Sequence, residues 1–387
     1  MNPPQPSSAK RTQGATSSPH ISEWFGHRVF PVVSAAPGAL DDQKSGRCPF
    51  LSQTLRRTAT CVKAENSRGV CTISASSNGP RQDWLVCPYR ALDDQLLADM
   101  VRRLYGFPDN AQVLIRPALT LADDVLRAEA MTALHPDDPR RVFVYFQDKL
   151  GGEIGLSKTT ASPEISFDIT VIELLPVVTG PVGRPYPAVP QIKVGRYGII
   201  EMQTTDTHGS YKQAVTALTS ALDLHGESFP QVLAENPEWA GRKIEGPNIS
   251  NVFKRTFYQI AFKFQVTKRD TSAGCILALP RPVWDSWQPF LGAPDLREQP
   301  DGTWRLLDDH EASPTDWIYV FEIGENPRPG GGPAPLQVCL VVGTDAQTLS
   351  KAAFDVAPAK AVEHGGGTDA VVSTIVRRLS TYMPGVR

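Results

Sequence analysis

Residues 195–215 read GRYGIIEMQTTDTHGSYKQAV, and the fold turns on the first ten of them. Tyr197 to Met202 is an apolar run of strand length, broken by Glu201 and followed two residues later by Gln203. Side chains alternate faces along a strand, so Ile199, Glu201 and Gln203 share one side while Gly198, Ile200 and Met202 share the other. A buried carboxylate costs several kcal/mol unless a cation or hydrogen bonds compensate it. Something positive is therefore expected opposite Glu201. Beyond the turn residues the period changes: Tyr211, Val215, Leu218 and Leu222 fall at i, i+4, i+7 and i+11, which predicts a helix with one apolar face.

Working outward, strand-like runs precede this stretch at RRVFVYFQ (140–147), GGEIGLS (151–157) and EISFDITVIELL (164–175). Earlier still, ALDDQLLADMVRRLYG (91–106) spaces Leu92, Leu96, Met100, Val101 and Leu104 as a helix ended by Gly106, and a second helix is expected near LADDVLRAEAMTAL (121–134). Downstream, NVFKRTFYQIAFKF (251–264) repeats helical spacing with Phe253, Phe257, Ile260 and Phe264. GCILALP (274–280) reads as a buried strand, and DGTWRL and DWIYVFEI as further strands; NPRPGGGPAP (326–335) reads as a loop. The order predicts an α/β protein built on a mixed central sheet flanked by helices. No internal repeat is visible.

The whole chain of 387 residues is 41% hydrophobic and 21% charged with a net charge of -2, so overall charge does not announce nucleic acid. No apolar run has membrane-spanning length and no signal-peptide pattern is present, which predicts a cytoplasmic protein without a membrane partner. The Pro- and Ser-rich residues 1–20 are expected to form a disordered tail. ISEWFGHRVFPVV (21–33) should dock Trp24, Phe25, Val29 and Phe30 onto a core. Four of the six cysteines, Cys48, Cys61, Cys71 and Cys87, crowd into one stretch of about forty residues that looks loop-rich and poor in core. Clustered thiols in a cytosolic protein point to metal ligands before disulfides, although buried, unlinked thiols also fit the C-x12-C-x9-C-x15-C spacing. The expected layout is a metal-binding subdomain at 21–90 and a larger domain at 91–387.

Ser166, Asp168 and Thr170 share one strand face, so Asp168 parallels Glu201 on a neighbouring strand, and Glu153 could supply a third acid. Converging carboxylates with oxygen-only donors are what Mg²⁺ requires, and such an ion could serve phosphodiester hydrolysis. Gln203 would then orient water or touch the scissile phosphate. Taken singly, each acid also suits a solvated strand face, and the residue class that normally completes Glu-x-Gln as a nuclease signature is lysine. Asn248 to Arg269 carries Lys254, Arg255, Lys263, Lys268 and Arg269 with no acid, which suits a phosphate backbone or a solvated helix. His208 has no nucleophile at a recognisable spacing, and a capping or core role suits it better than catalysis.

Taken together, FGHRVFPVV, CPFL, CVKAENSRGVC, DWLVCP, YFQDKLGGEIGLSKT, SPEISFD, RYGIIEMQT, HGSYK and GPNISNVFKRTFYQIAFKF resemble the NotI-type restriction endonucleases. The resemblance runs from about Trp24 to Phe321. It implies a type II endonuclease with a PD-(D/E)XK core, acting as a homodimer on double-stranded DNA, with Mg²⁺ as cofactor and a cognate DNA methyltransferase in the same prokaryotic host. It implies Glu153, Asp168, Glu201 and Gln203 as catalytic and Mg²⁺-site positions. It also implies Cys48, Cys61, Cys71 and Cys87 as ligands of a structural iron, with zinc as the chemical alternative. Arg196 matches a basic position near the family's DNA interface, alongside Lys254 and Arg255. The implied target is a GC-rich palindrome, GCGGCCGC or a close variant. Val178–Pro190 reads as a lengthened loop between two catalytic strands.

Two other classes remain open on sequence alone: a non-cleaving DNA-binding protein with structural zinc, and a phosphodiesterase acting on small nucleotides. The basic, aromatic helix weighs against the second. Indifference of DNA binding to Mg²⁺, with no nicking, would mark the first.

Overall fold

The computed structural model of the chain describes residues 18–76, 80–177, 191–205, 207–307, 313–325, 332–364 and 367–383. Residues 1–17 of the expected tail, the Val178–Pro190 segment and the first six residues of the 326–335 loop lie outside them. Strands β1 (His20–Trp24) and β2 (His27–Arg28) form a hairpin that buries Trp24, Phe25, Val29 and Phe30. After α1 (Ala39–Ser45) and α2 (Pro49–Leu55), β3 (Val70–Ser76) and β4 (Arg81–Leu85) complete a four-stranded sheet in the order β2-β1-β3-β4. The Cys48–Cys87 stretch is thus more regular than its composition predicts. Its strand polar groups satisfy one another in the interior: the Ser22 and Thr72 hydroxyls lie 2.8 Å apart, and Thr72 also donates to Glu23 at 3.2 Å. Ser and Thr that read as loop residues therefore serve a buried strand.

Helix α3 (Asp94–Tyr105) starts where the Asp93 carboxylate accepts from the Gln95 and Leu96 amides and stops at Gly106, whose φ of 71° suits a residue without Cβ. The chain continues through β5 (Val113–Pro117) and α4 (Asp124–Ala133), the latter capped in the same way by Asp123. Strands β6 (Arg141–Phe146), β7 (Ile154–Leu156), β8 (Ile165–Phe167), β9 (Ile169–Val177) and β10 (Gln191–Met202) follow. Then come β11 (Thr207–Gly209), α5 (Lys212–His225), α6 (Phe229–Glu235), β12 (Ile244–Pro247), α7 (Ile249–Val266) and β13 (Ser272–Pro280). The rest comprises α8 (Arg281–Trp287), β14 (Arg297–Glu298), β15 (Trp304–Arg305), β16 (Asp316–Ile323), β17 (Leu336–Thr344), α9 (Ala346–Lys351), α10 (Ala357–His364) and α11 (Gly367–Leu379).

Nine strands build one mixed sheet in the order β14-β15-β17-β16-β13-β10-β9-β6-β5. Its centre is parallel, β10 with β13 and β13 with β16, while β9 runs antiparallel to both β10 and β6. The alternation expected of residues 197–203 holds. Ile199 joins the core formed with α5, α7 and the N-terminal sheet, whereas Ile200 and Met202 join the core under α3. A Cβ at Gly198 would stand 2.3 Å from Leu104 Cδ2, so this glycine lets α3 lie against the strand. Among the described residues, no helix is long and apolar enough to cross a membrane.

Candidate functional site

Three acids meet at neighbouring strand ends because of register. Asp168 is the single residue between β8 and β9, and β9 pairs with β10 as Ile169 with Ile200, which brings Asp168 beside Glu201. Strand β7 pairs with β8 as Ile154 with Phe167, so the preceding Glu153 lies beside Asp168. Backbone amides tie the first pair: the Asp168 N–H donates to Glu201 Oε1 at 3.3 Å, and the Met202 N–H donates to Asp168 Oδ2 at 3.0 Å. Gln203 stays on the ladder, its N–H donating to Ala278 O at 2.9 Å.

Glu201 is 5% exposed, and the cation expected opposite it is Lys263 of α7, itself 4% exposed, whose Nζ donates to Glu201 Oε2. This corrects the reading of Lys263 as one of five charges available to a phosphate backbone. Only Lys254, Arg255, Lys268 and Arg269 of that set are exposed. Burial, then the neighbouring Asp168 charge, raise the Glu201 pKa from the ordinary 4.5 to about 8, with Lys263 pulling the other way.

Glu153, Asp168 and Gln203 line one open cleft of about 300 Å³, together with Tyr89, Asp148 and Arg255. Glu201 sits behind its floor. Asp148 and Gln147 are additions that the sequence reading did not single out; Gln147 Oε1 is buried and has no hydrogen-bond partner. The cleft lining therefore carries three carboxylates and one guanidinium, with the Asp148 carboxylate paired to Lys149 Nζ at 3.2 Å. Hard oxygen donors of this kind suit Mg²⁺ better than a soft metal, although among the described residues no three of these acids are placed to hold an ion. Arg196 stands apart. It lies in the middle of β10, five residues before Glu201 and about 16 Å from it at strand rise, with its guanidinium 5.6 Å from the centre of the Tyr105 ring.

The four clustered cysteines converge as well. Cys48, Cys61, Cys71 and Cys87 line a single pocket enclosing about 10 Å³ of free space, room for one small atom or ion. All four are free thiols. Cys48 Sγ accepts from the Leu51 N–H at 3.5 Å and Cys61 Sγ from the Gly69 N–H at 3.4 Å. Gly69 has a φ of 80°, and a Cβ there would stand 2.5 Å from the Phe25 ring, so only glycine brings this N–H to the sulfur. Lys63 Nζ donates to the Val70 and Val86 carbonyls, beside Cys71 and Cys87. Burial raises the Cys48 pKa to about 12 and pushes up those of Cys71 and Cys87. The donor chemistry fits a soft tetrahedral ion, although no group of three or more His, Cys, Asp or Glu among the described residues stands ready as a metal cage. Cys275 is buried in the sheet core, away from this pocket. The cluster also adjoins the cleft, since Tyr89 lines both, and the Thr205 N–H donates to Leu85 O at 2.7 Å.

No protein-family model and no curated protein matches this chain.

Proposed function

We propose that the chain is a Mg²⁺-dependent type II restriction endonuclease of NotI type, with a PD-(D/E)XK-like core that hydrolyses phosphodiesters of double-stranded DNA. The observation that carries this reading is the approach of Glu153, Asp168 and Glu201 at adjacent strand ends, with Glu153, Asp168 and Gln203 lining an open cleft. Asp168 and Glu201 would hold the cation, with Glu153 beside them. When bound, Mg²⁺ supplies Lewis-acid polarisation of the scissile phosphate and lowers the pKa of attacking water.

The remaining work falls to the chain. Gln203 has no basic nitrogen, so it orients a reacting oxygen by hydrogen bonding and does not take its proton. Arg255, on the cleft wall, and the exposed Lys254 beside it on α7 meet the phosphate backbone. Arg196 lies farther out and would touch DNA beyond the cleft. One cleft per chain cuts one strand, so a double-strand break requires two copies, and a two-fold homodimer matches a palindrome such as GCGGCCGC. The four cysteines would hold one structural ion, iron by resemblance or zinc by chemistry, bracing the wall that carries Tyr89.

The test is digestion of plasmid and sequenced genomic DNA by the purified chain in Mg²⁺ and in EDTA. Discrete, Mg²⁺-dependent fragments with ends mapping to one GC-only palindrome are expected. Sequence-specific binding that ignores Mg²⁺ and leaves the DNA intact would overturn the assignment.

A further inference from the structure

We infer that Thr256 of α7 is a positioning residue that fixes which end of the Gln203 amide faces the reacting centre. The inference rests on the nuclease reading above. Thr256 is 5% exposed, and its Oγ1 donates to Gln203 Oε1. On the other end of the amide, Gln203 Nε2 donates to the Thr204 carbonyl. A hydroxyl has one proton to give, and an amide nitrogen has two. With its single proton committed to Oε1, Thr256 holds the amide oxygen toward the helix. One Nε2 proton goes to Thr204, which leaves the second as the group that Gln203 can offer to the cleft it lines.

Without the Thr256 hydroxyl, only the Nε2 bond to the Thr204 carbonyl opposes a half-turn of the amide that would present an oxygen acceptor to an anionic phosphate. That is the wrong polarity for a group meant to donate. The β-branched side chain adds precision, because threonine on a helix has few χ1 choices. Helical spacing completes the arrangement. Thr256 and Lys263 are seven residues apart, two turns of α7, so the same helix face that holds Gln203 through Thr256 holds Glu201 through Lys263. Glu201 and Gln203, which alternate onto one side of the strand, are thereby gripped from one neighbouring element.

Two substitutions separate this role from mere packing. Thr256→Val keeps the shape and deletes the hydroxyl; Thr256→Ser keeps the hydroxyl and deletes a methyl. Single-turnover cleavage in Mg²⁺, DNA affinity in Ca²⁺ and thermal melting would be measured for both alongside wild type. The valine variant is expected to cleave about 10- to 100-fold more slowly with DNA affinity within about threefold of wild type, while the serine variant stays within about threefold in rate. Wild-type cleavage by the valine variant, or a serine variant slower than the valine one, would overturn the inference and leave the nuclease reading standing. A wild-type chain that cleaves nothing removes that reading and this inference with it.

Discussion

Replacing Glu201 with glutamine should destroy the site and shift the stability of the metal-free fold by an amount that depends on pH. The carboxyl is 5% exposed and its pKa lies at about 8 where an ordinary glutamate has 4.5. A carboxyl with a raised native pKa binds its proton more tightly in the folded state. Its contribution is therefore fully present below about pH 4.5 and is lost as pH climbs towards 8. Linkage sets the slope: each pH unit inside that window costs the wild-type fold up to ~1.4 kcal/mol, a ceiling of about 5 kcal/mol across it. Lys263 is already counted in the pKa, but glutamine forfeits its contact with the ammonium, which subtracts a roughly constant amount. Urea unfolding in EDTA at pH 5, 6, 7, 8 and 9 is the assay. The stability difference, Glu201→Gln minus wild type, should rise by about 1 kcal/mol per unit from pH 5 to 8 and then level off. A flat difference, or one that falls with pH as a carboxylate with a depressed pKa would give, refutes the account of Glu201 as a buried acid with a raised pKa. Mg²⁺ should stabilise wild type and not the variant, since ligand binding to the native state alone raises stability by mass action.

Three further outcomes are expected. Asp168→Ala should lower single-turnover cleavage at least a thousandfold, ~4 kcal/mol of transition-state stabilisation, with melting temperature near wild type; retention of more than a thousandth of the rate counts against a metal-holding role. Cys71→Ser should lose stoichiometric transition metal by elemental analysis and melt earlier, whereas Cys275→Ser should keep its metal; equal behaviour of the two would remove the four-thiol site. Arg90→Met should cost about 3–5 kcal/mol in urea unfolding, because Arg90 is 1% exposed, pairs with Glu23 at 2.9 Å and also donates to the Ala334 carbonyl at 2.7 Å. A loss below 1 kcal/mol would show that this pair does not clamp the N-terminal sheet to the segment leading into β17.

Where apolar period was strong the sequence was readable, and where polar residues were buried it misled. Helices α3, α5 and α7 lie where Leu96, Met100 and Leu104, Val215 and Leu218, and Phe257, Ile260 and Phe264 repeat at helical spacing. Strands β6, β9, β10 and β13 lie where β-branched and aromatic runs stand. Strand β5 is harder to see, since Arg116 and Pro117 interrupt a short run at the sheet edge. The N-terminal sheet hides for a different reason. Its Glu23, Thr72 and Arg90 form one interior hydrogen-bonded group, so composition reads as surface what packing has buried. For the site, alternation along 197–203 was enough to put Glu201 and Gln203 on one side. It could not say that Asp148 and Gln147, separated from Glu153 by a glycine-rich turn, share the same cleft.

Lys263 is placed by its apolar neighbours rather than by its charge. It lies three residues after Ile260 and directly before Phe264, on the side of α7 that Phe253, Phe257, Ile260 and Phe264 commit to the interior. A lysine there can snorkel out or find a buried anion. Lys263 sits opposite the interior side of β10, where Glu201 is the acid that alternation turns inward. The strand's demand for a cation and the helix's demand for an anion thus have one common solution, and each alone would have been a defect. The same solution explains why the Glu-x-Gln stretch can dispense with a lysine of its own: the positive charge comes from the helix, and position 203 is free for an amide whose orientation Thr256 sets. Burying the pair leaves Lys254 and Arg255 as the exposed basic residues of α7. The apolar spacing of α7 thus decides which of its three basic residues is buried and which two are exposed.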